Sequence, residues 1–387
     1  MRSQIINASI VLEDGILRDG VCCFRDGIID YIGTQPQPDA RTVLDAQGRF
    51  LLPGFVDLHC HGGAGYDFMD ASPEEMEHIA RFHLTHGTTT LYATTMTDSW
   101  DRIRQALDRL DGFLHSGGEY NVVGVHLEGP WLSPAQCGAQ STDTMQLPDP
   151  EMLKKLVKQF PFICRVSAAP ELPGGLELAR VGRELGLVMS VAHTDADFEQ
   201  TEQAADAGYT LMTHLYSGMG MTHRVHAYRV AGAVEAGLYD DRLCVELIAD
   251  GKHLPAALLK LVYKCKGAER ICLVTDAMRG AGLPEGSRTM LGCVQGGVEA
   301  IVEDGVAKLP DRTSFAGSVA TADRLLRTMC RLAEVDPVHV SRMLSGTPAR
   351  VMGLTDRGSI EVGKRADLVL LDPNMEVQQV FLGGNAI

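Results

Sequence analysis

The sequence is short of positive charge and has no long apolar run. Lys and Arg total 35 against 50 Asp and Glu, a formal charge of −15 over 387 residues. That deficit argues against nucleic acid or an anionic membrane surface as a main partner. A local pocket can still oppose the global field for a small anion. No apolar stretch reaches the roughly 18 residues of a membrane-spanning helix. The opening MRSQIINASIVLEDG alternates as a strand does and lacks the apolar region of a signal peptide. No CxxC pair occurs among the ten cysteines, and most lie in apolar strand-like runs, where a reduced thiol behaves as a small hydrophobe. The expectation is a cytoplasmic protein with free thiols and no cysteine-based zinc site. Short-period repeats and low-complexity segments are missing too.

What is present is an alternation. The first fifty residues hold short segments broken by Gly and Asp, read as a small antiparallel sheet with tight turns, and GSIEVGKRADLVLLD resumes that style near the end. An accessory β-sandwich domain built from both termini, residues 1–52 plus 358–387, is therefore expected around a middle of 53–357. In the middle, eight apolar runs alternate with amphipathic helical runs: GFVDLHCH, TTTLYATT, NVVGVHLE, FICRVSAA, GLVMSVAH, YTLMTHL, LCVELIAD and ICLVTDA. Eight parallel strands with helical crossovers close a (β/α)8 TIM-like barrel. Helix punctuation agrees: SPEEMEHIARFHLTHG opens on Ser72 and Pro73 and stops at Gly87.

Strong polar residues end the apolar runs. His59 and His61 follow GFVDL, Glu128 follows VVGVHL, His193 follows LVMSVA, His214 follows TLM with Thr213, and Asp276 follows ICLVT. Residues two apart on a strand share a face, so His59 and His61 look one way and Cys60 the other. In a (β/α)8 barrel all the C-terminal strand ends meet at one mouth. Singly, a strand-end histidine is ordinarily structural, Glu128 before Gly129-Pro130 can cap a turn, and Asp276 can cap a helix. Jointly, several ionisable groups buried at one mouth are costly without a partner. A divalent transition metal, Zn or Fe, suits such imidazole and carboxylate donors better than Mg or Ca.

PGFVDLHCHGG, HLEGPWLSPAQCGAQ, AHTDAD followed by THLYSGM, IADGKHL, LVTDAM and FAGSVATAD occur in that order. Over nearly its whole length the chain resembles the amidohydrolase superfamily, and within it the N-acetylglucosamine-6-phosphate deacetylases. The resemblance implies that Glu128, His193 and His214 bind metal, that Asp276 is catalytic and that His253 contacts substrate near the acetamide. It places Ala139, Gln140, Ser217, Gly218, Phe315, Ala316 and Gly317 at substrate-contacting positions. Members hold one or two ions per subunit, and those with HxH on the first strand hold two, which makes His59 and His61 ligands of a second ion; in a one-metal enzyme they stay empty. A homodimer is a family-level expectation.

The implied reaction is hydrolysis of an N-acetyl amino sugar phosphate to the amino sugar and acetate. Two departures bear on the substrate. Gly138-Ala139-Gln140 stands where the family usually has GAH, so a histidine has become an uncharged glutamine. HLYSGMGMTHRVHAYRVAGA replaces the family's HLFNAM and its Arg-Glu-Pro-Gly, whose arginine binds the 6-phosphate, often across a dimer interface. Arg224 and Arg229 are near enough in sequence to replace it, because a guanidinium fork pairs with phosphate oxygens; the alternative is that both are solvated. His223 and His226 read as loop or interface residues rather than ligands. FAGS, with Ser318 as a plain helix cap or part of a closing segment, precedes the helix VATADRLLRTM. Another N-acyl amino sugar, the galactosamine isomer or an unphosphorylated one, is the competing substrate. A non-catalytic scaffold is disfavoured by the full set of ligand-type residues.

Overall fold

The computed structural model describes residues 1–118 and 120–387. All eight apolar runs form strands, hydrogen-bonded in parallel and in sequence order: Phe55–Cys60, Thr88–Thr95, Val122–Glu128, Ile163–Ala168, Val188–Val191, Tyr209–Met212, Cys244–Leu247 and Ile271–Leu273. Most of their residues are buried, as strands need to be when helices cover their outer face. The ring closes just beyond the eighth strand. There the Asp276 N–H donates to His59 O at 2.9 Å and the His61 N–H donates to Ala277 O at 2.8 Å. This seam carries Asp276 to the two histidines of the first strand.

The crossover helices begin and end where their chemistry dictates. Pro73–Thr85 opens on a reciprocal Ser72–Glu75 capping box, and Phe198–Ala207 on an Asp197–Gln200 box. Ala256–Lys266 stops at Gly267, whose φ of 63° suits a residue without a Cβ. Ser318 does not cap the Ala322–Arg331 helix. Its hydroxyl reaches Thr275 O and takes the Ala320 N–H, tying the preceding loop to the barrel seam.

Residues from both ends of the chain share a second sheet. Arg2–Leu12, Gly15–Arg25 and Ile28–Gly33 form an antiparallel meander, while Thr42–Asp45 and Phe50–Pro53 run parallel to the first strand. Leu368–Leu371 pairs antiparallel with Phe50–Pro53, and Val377–Leu382 and Asn385–Ala386 follow outward. The first fifty residues are thus mixed, not purely antiparallel, because the connection across residues 34–41 carries the chain from the outer strand Ile28–Gly33 to the other side of the first strand. Ile5, Ile10, Leu51, Leu368 and Phe381 fill this sheet's own apolar core. A third, small sheet of Arg288–Leu291, Val298–Glu303 and Val306–Lys308 stands near the barrel mouth and had no counterpart in the sequence reading.

Candidate active site

The strand ends converge. His59 Nε2 lies 3.2 Å from His61 Nε2, 3.6 Å from Glu128 Oε2 and 3.4 Å from Asp276 Oδ1. His61 Nε2 is 3.3 Å from both Glu128 Oε2 and Asp276 Oδ1. The other glutamate oxygen, Oε1, lies 3.4 Å from His193 Nε2 and 3.0 Å from His214 Nε2. Glu128 therefore offers one oxygen to each of two donor groups: His59, His61 and Asp276 on one side, His193 and His214 on the other.

These spacings fit a metal. Ligand atoms arranged tetrahedrally at 2.0–2.1 Å from Zn stand about 3.3–3.4 Å apart. The donor atoms, all from buried residues, stand 3.0–3.6 Å apart in the pairs just given, close to that separation. Burial works against a charged His59, but Glu128 and Asp276 outweigh it and raise the imidazole to about 9. Burial likewise opposes charge on Asp276, yet His59 and His61 hold its carboxyl down at about 2. Glu128 is kept well below the usual carboxylate range, the histidines overcoming its burial.

Backbone strain marks the same positions. His193, His214 and Asp276 adopt φ of 41°, 31° and 46°, a region costing roughly 1–3 kcal/mol for a residue with a Cβ. Such residues persist only where their surroundings over-determine them. Gly218 shows one such constraint: a Cβ added there would lie 2.5 Å from His193 Nδ1. The His193 ring is further fixed by its Nδ1–H donating to Gln136 O at 2.8 Å.

A cavity of about 160 Å³ opens over the cluster. Ala139, Gln140, Ser217, Gly218, His253, Phe315 and Gly317 line it beside the donors. Ala316 does not; it is fully buried, with its N–H on Ala307 O. Gln140 Oε1 accepts the Thr97 N–H at 3.1 Å, which turns its Nε2 to within 3.3 Å of His193 Nε2. Arg224 and Arg229 stand apart, on an exposed hairpin of His223–Val225 and Tyr228–Val230, and neither reaches this chain's cavity. A larger cavity, about 340 Å³, lies beside Val11, Pro53 and Arg342 and touches none of the expected site residues.

Three residues were missed in the sequence. Asp250 Oδ2 takes His253 Nδ1 at 2.8 Å and so aims the ring; the D-x-x-H spacing in IADGKH was the available signal. Beneath the cluster, Arg165 and Glu246 form a fully buried ion pair, each a charged residue inside an apolar strand run.

The amidohydrolase family profile matches residues 50–387. The chain belongs to the amidohydrolase family. It is 34% identical over 382 residues to an N-acetylglucosamine-6-phosphate deacetylase of Lysinibacillus sphaericus, covering 98% of this chain and 96% of that one. It is 35% identical over 378 residues to an N-acetylgalactosamine-6-phosphate deacetylase of Escherichia coli O157:H7, covering 97% and 96%. A Mycobacterium smegmatis N-acetyl-D-glucosamine-6-phosphate deacetylase mutant, solved with N-acetyl-D-glucosamine-6-phosphate, superposes with a TM-score of 0.91 at 31% identity and covers 100% of this chain and 99% of that one.

Proposed function

We propose that this amidohydrolase removes the acetyl group of N-acetylglucosamine-6-phosphate, releasing acetate and the amino sugar phosphate. The observation that carries the reading is Glu128 dividing its two oxygens between two histidine pairs, with Asp276 beside the first. His59, His61, Glu128, His193 and His214 would hold one or two ions, Zn or Fe. A bound transition metal acidifies water and polarises an amide carbonyl. Asp276 takes the proton of the attacking water and returns it to the departing nitrogen as the C–N bond breaks. His59 and His61 hold its carboxyl down at about 2, so it meets the water as a carboxylate.

The remaining residues bind and orient. His253, aimed by Asp250, presents Nε2 to the cavity, with Phe315 4.6 Å away as an apolar wall against its ring. Gln140 supplies an uncharged amide N–H where its oxygen is already engaged by Thr97. Arg224 and Arg229 lie outside this chain's cavity, so a phosphate role for either needs a second copy; a homodimer is the assembly proposed. The ten free cysteines accord with a reducing compartment, the cytoplasm.

The test is acetate release by the metal-loaded enzyme from N-acetylglucosamine-6-phosphate, the galactosamine isomer and free N-acetylglucosamine, compared as kcat/KM. The glucosamine phosphate should be turned over fastest. A preference for the galactosamine isomer, the reading favoured by the Escherichia coli relative, would keep the chemistry and change the sugar. Faster turnover of the free sugar would sink the phosphate.

A further inference from the structure

The layer of the barrel interior just beneath the mouth carries a charged pair where such interiors are ordinarily filled by branched apolar side chains. Arg165 and Glu246 are both fully buried, from strands four and seven. Arg165 Nε donates to Ser190 Oγ at 2.9 Å, Nη1 to Leu58 O at 3.1 Å and Nη2 to Thr213 Oγ1 at 3.0 Å, and Nη1 also bonds Glu246 Oε1. The guanidinium is thereby clamped to the first, fifth, sixth and seventh strands at once. The second oxygen, Glu246 Oε2, faces upward. It accepts the His214 N–H at 3.2 Å and lies 3.5 Å from His59 Nδ1.

We infer that Glu246, held by Arg165, is a positioning residue that sets the ring orientation of His59 and the backbone of His214 and so builds both halves of the metal site from below. The inference rests on the metal reading of His59 and His214. Its logic is geometric. Taking the Nδ1 proton of His59 leaves Nε2 as the only lone pair, and that atom points at His61, Glu128 and Asp276. Carboxylates behind metal-ligating histidines act in this way. Taking the His214 N–H pins a residue whose φ of 31° it would not otherwise keep. His61 and His214, by contrast, leave Nδ1 with no partner among the described residues. His59 is the one imidazole of the first-strand pair that is oriented by a charge. A purely structural pair could have been replaced by apolar residues of equal volume without loss of fold, because desolvation offsets much of what a buried ion pair gains.

The experiment compares wild type, Arg165→Met/Glu246→Met, Arg165→Met/Glu246→Gln, Glu246→Asp and His59→Ala as full-length apo-protein. Each is titrated with Zn²⁺ against a chelating dye and, separately, with Co²⁺ read by its visible spectrum. The Met pair is expected to fold, yet to lose about 10–100-fold in Zn²⁺ affinity and to change the Co²⁺ spectrum. The Gln variant, with an acceptor oxygen restored, should recover most of both. Glu246→Asp keeps the charge for Arg165 but withdraws it from His59, and should shift affinity in the same direction as the Met pair even if that pair does not fold. Wild-type affinity and spectrum in the Met pair or in Glu246→Asp, while His59→Ala loses metal, would overturn the positioning role and leave the metal site standing. If His59→Ala itself loses nothing, His59 is no ligand and the proposal falls with it.

Discussion

The two interiors of this chain are built on opposite rules. Under the terminal sheet, Ile5, Ile10, Leu51, Leu368, Leu370 and Phe381 pack as an apolar cluster, with the buried Asp367 at its edge paired to Arg365. Inside the barrel, one step along three strands changes the chemistry: Tyr92 gives way to Thr94, Leu211 to Thr213 and Cys244 to Glu246. Residues two apart share a face, so the barrel interior is apolar at its foot and polar beneath its mouth. The apolar foot joins Val56, Leu58, Tyr92, Leu211, Cys244, Cys272 and Val274 in one cluster. Above it, Arg165, Glu246, His126 and Ser167 are buried and hydrogen-bonded. The terminal sheet gains stability from burial alone, whereas the barrel's polar layer gains little and aims side chains instead. Mutations should therefore separate stability from turnover by region.

The largest effect is expected at the mouth. Asp276→Asn removes the proton acceptor of the proposed reaction and should lower kcat about 10²–10⁴-fold, far beyond what its effect on the folded fraction accounts for. A mutant that retained a tenth of wild-type kcat would remove Asp276 from the chemistry. Next comes the terminal sheet. Leu368 is fully buried there, and Leu368→Ala should cost about 2–5 kcal/mol in denaturant unfolding while kcat/KM per folded molecule stays put. A matching fall in kcat/KM would mean that the two interiors are coupled, contrary to the contrast drawn above.

Much of this was legible because barrels convert sequence order into convergence. Apolar runs of strand length, each closed by His, Glu or Asp, are enough to put His59, His61, Glu128, His193, His214 and Asp276 at one mouth once the strands are parallel. The division of Glu128 between two histidine pairs was not legible, since it depends on side-chain direction across 86 residues. Arg165 and Glu246 escaped notice for a related reason: a lone charge inside an apolar run gives no hint of a partner 81 residues away. The strained φ of His193, His214 and Asp276 has no sequence signature, because it is imposed by packing. The three-stranded sheet of residues 288–308 was lost to its short strands, and Arg224 and Arg229 were judged by nearness in sequence, which says nothing about which way a hairpin projects.

A smaller effect tests whether the mouth depends on close approach as well as on charge. Gly218→Ala would force a Cβ against His193 Nδ1 at a left-handed φ of 59°. Strain of about 1–3 kcal/mol is expected, and it should appear as weaker Zn²⁺ binding, since the ring has to move. Full metal affinity with only a raised KM would instead assign Gly218 to substrate contact alone.

The smallest effects belong to the exposed hairpin. Arg224 and Arg229 stand in solvent on the hairpin, so Arg224→Ala and Arg229→Ala should each change stability by less than about 0.5 kcal/mol. Their influence, if the proposed second copy brings them to a phosphate, is confined to KM for phosphorylated sugars. A rise of about tenfold there, with free N-acetylglucosamine unaffected, corresponds to one lost charge-assisted contact worth about 1.4 kcal/mol. Because neither arginine reaches the cavity of its own chain, that rise should vanish when enzyme is assayed at dilutions where it is monomeric, wild type and variant then sharing the same high KM. Equal KM for wild type and both variants at every concentration would return the hairpin to the solvated surface and leave the phosphate to be held by residues lining the cavity itself.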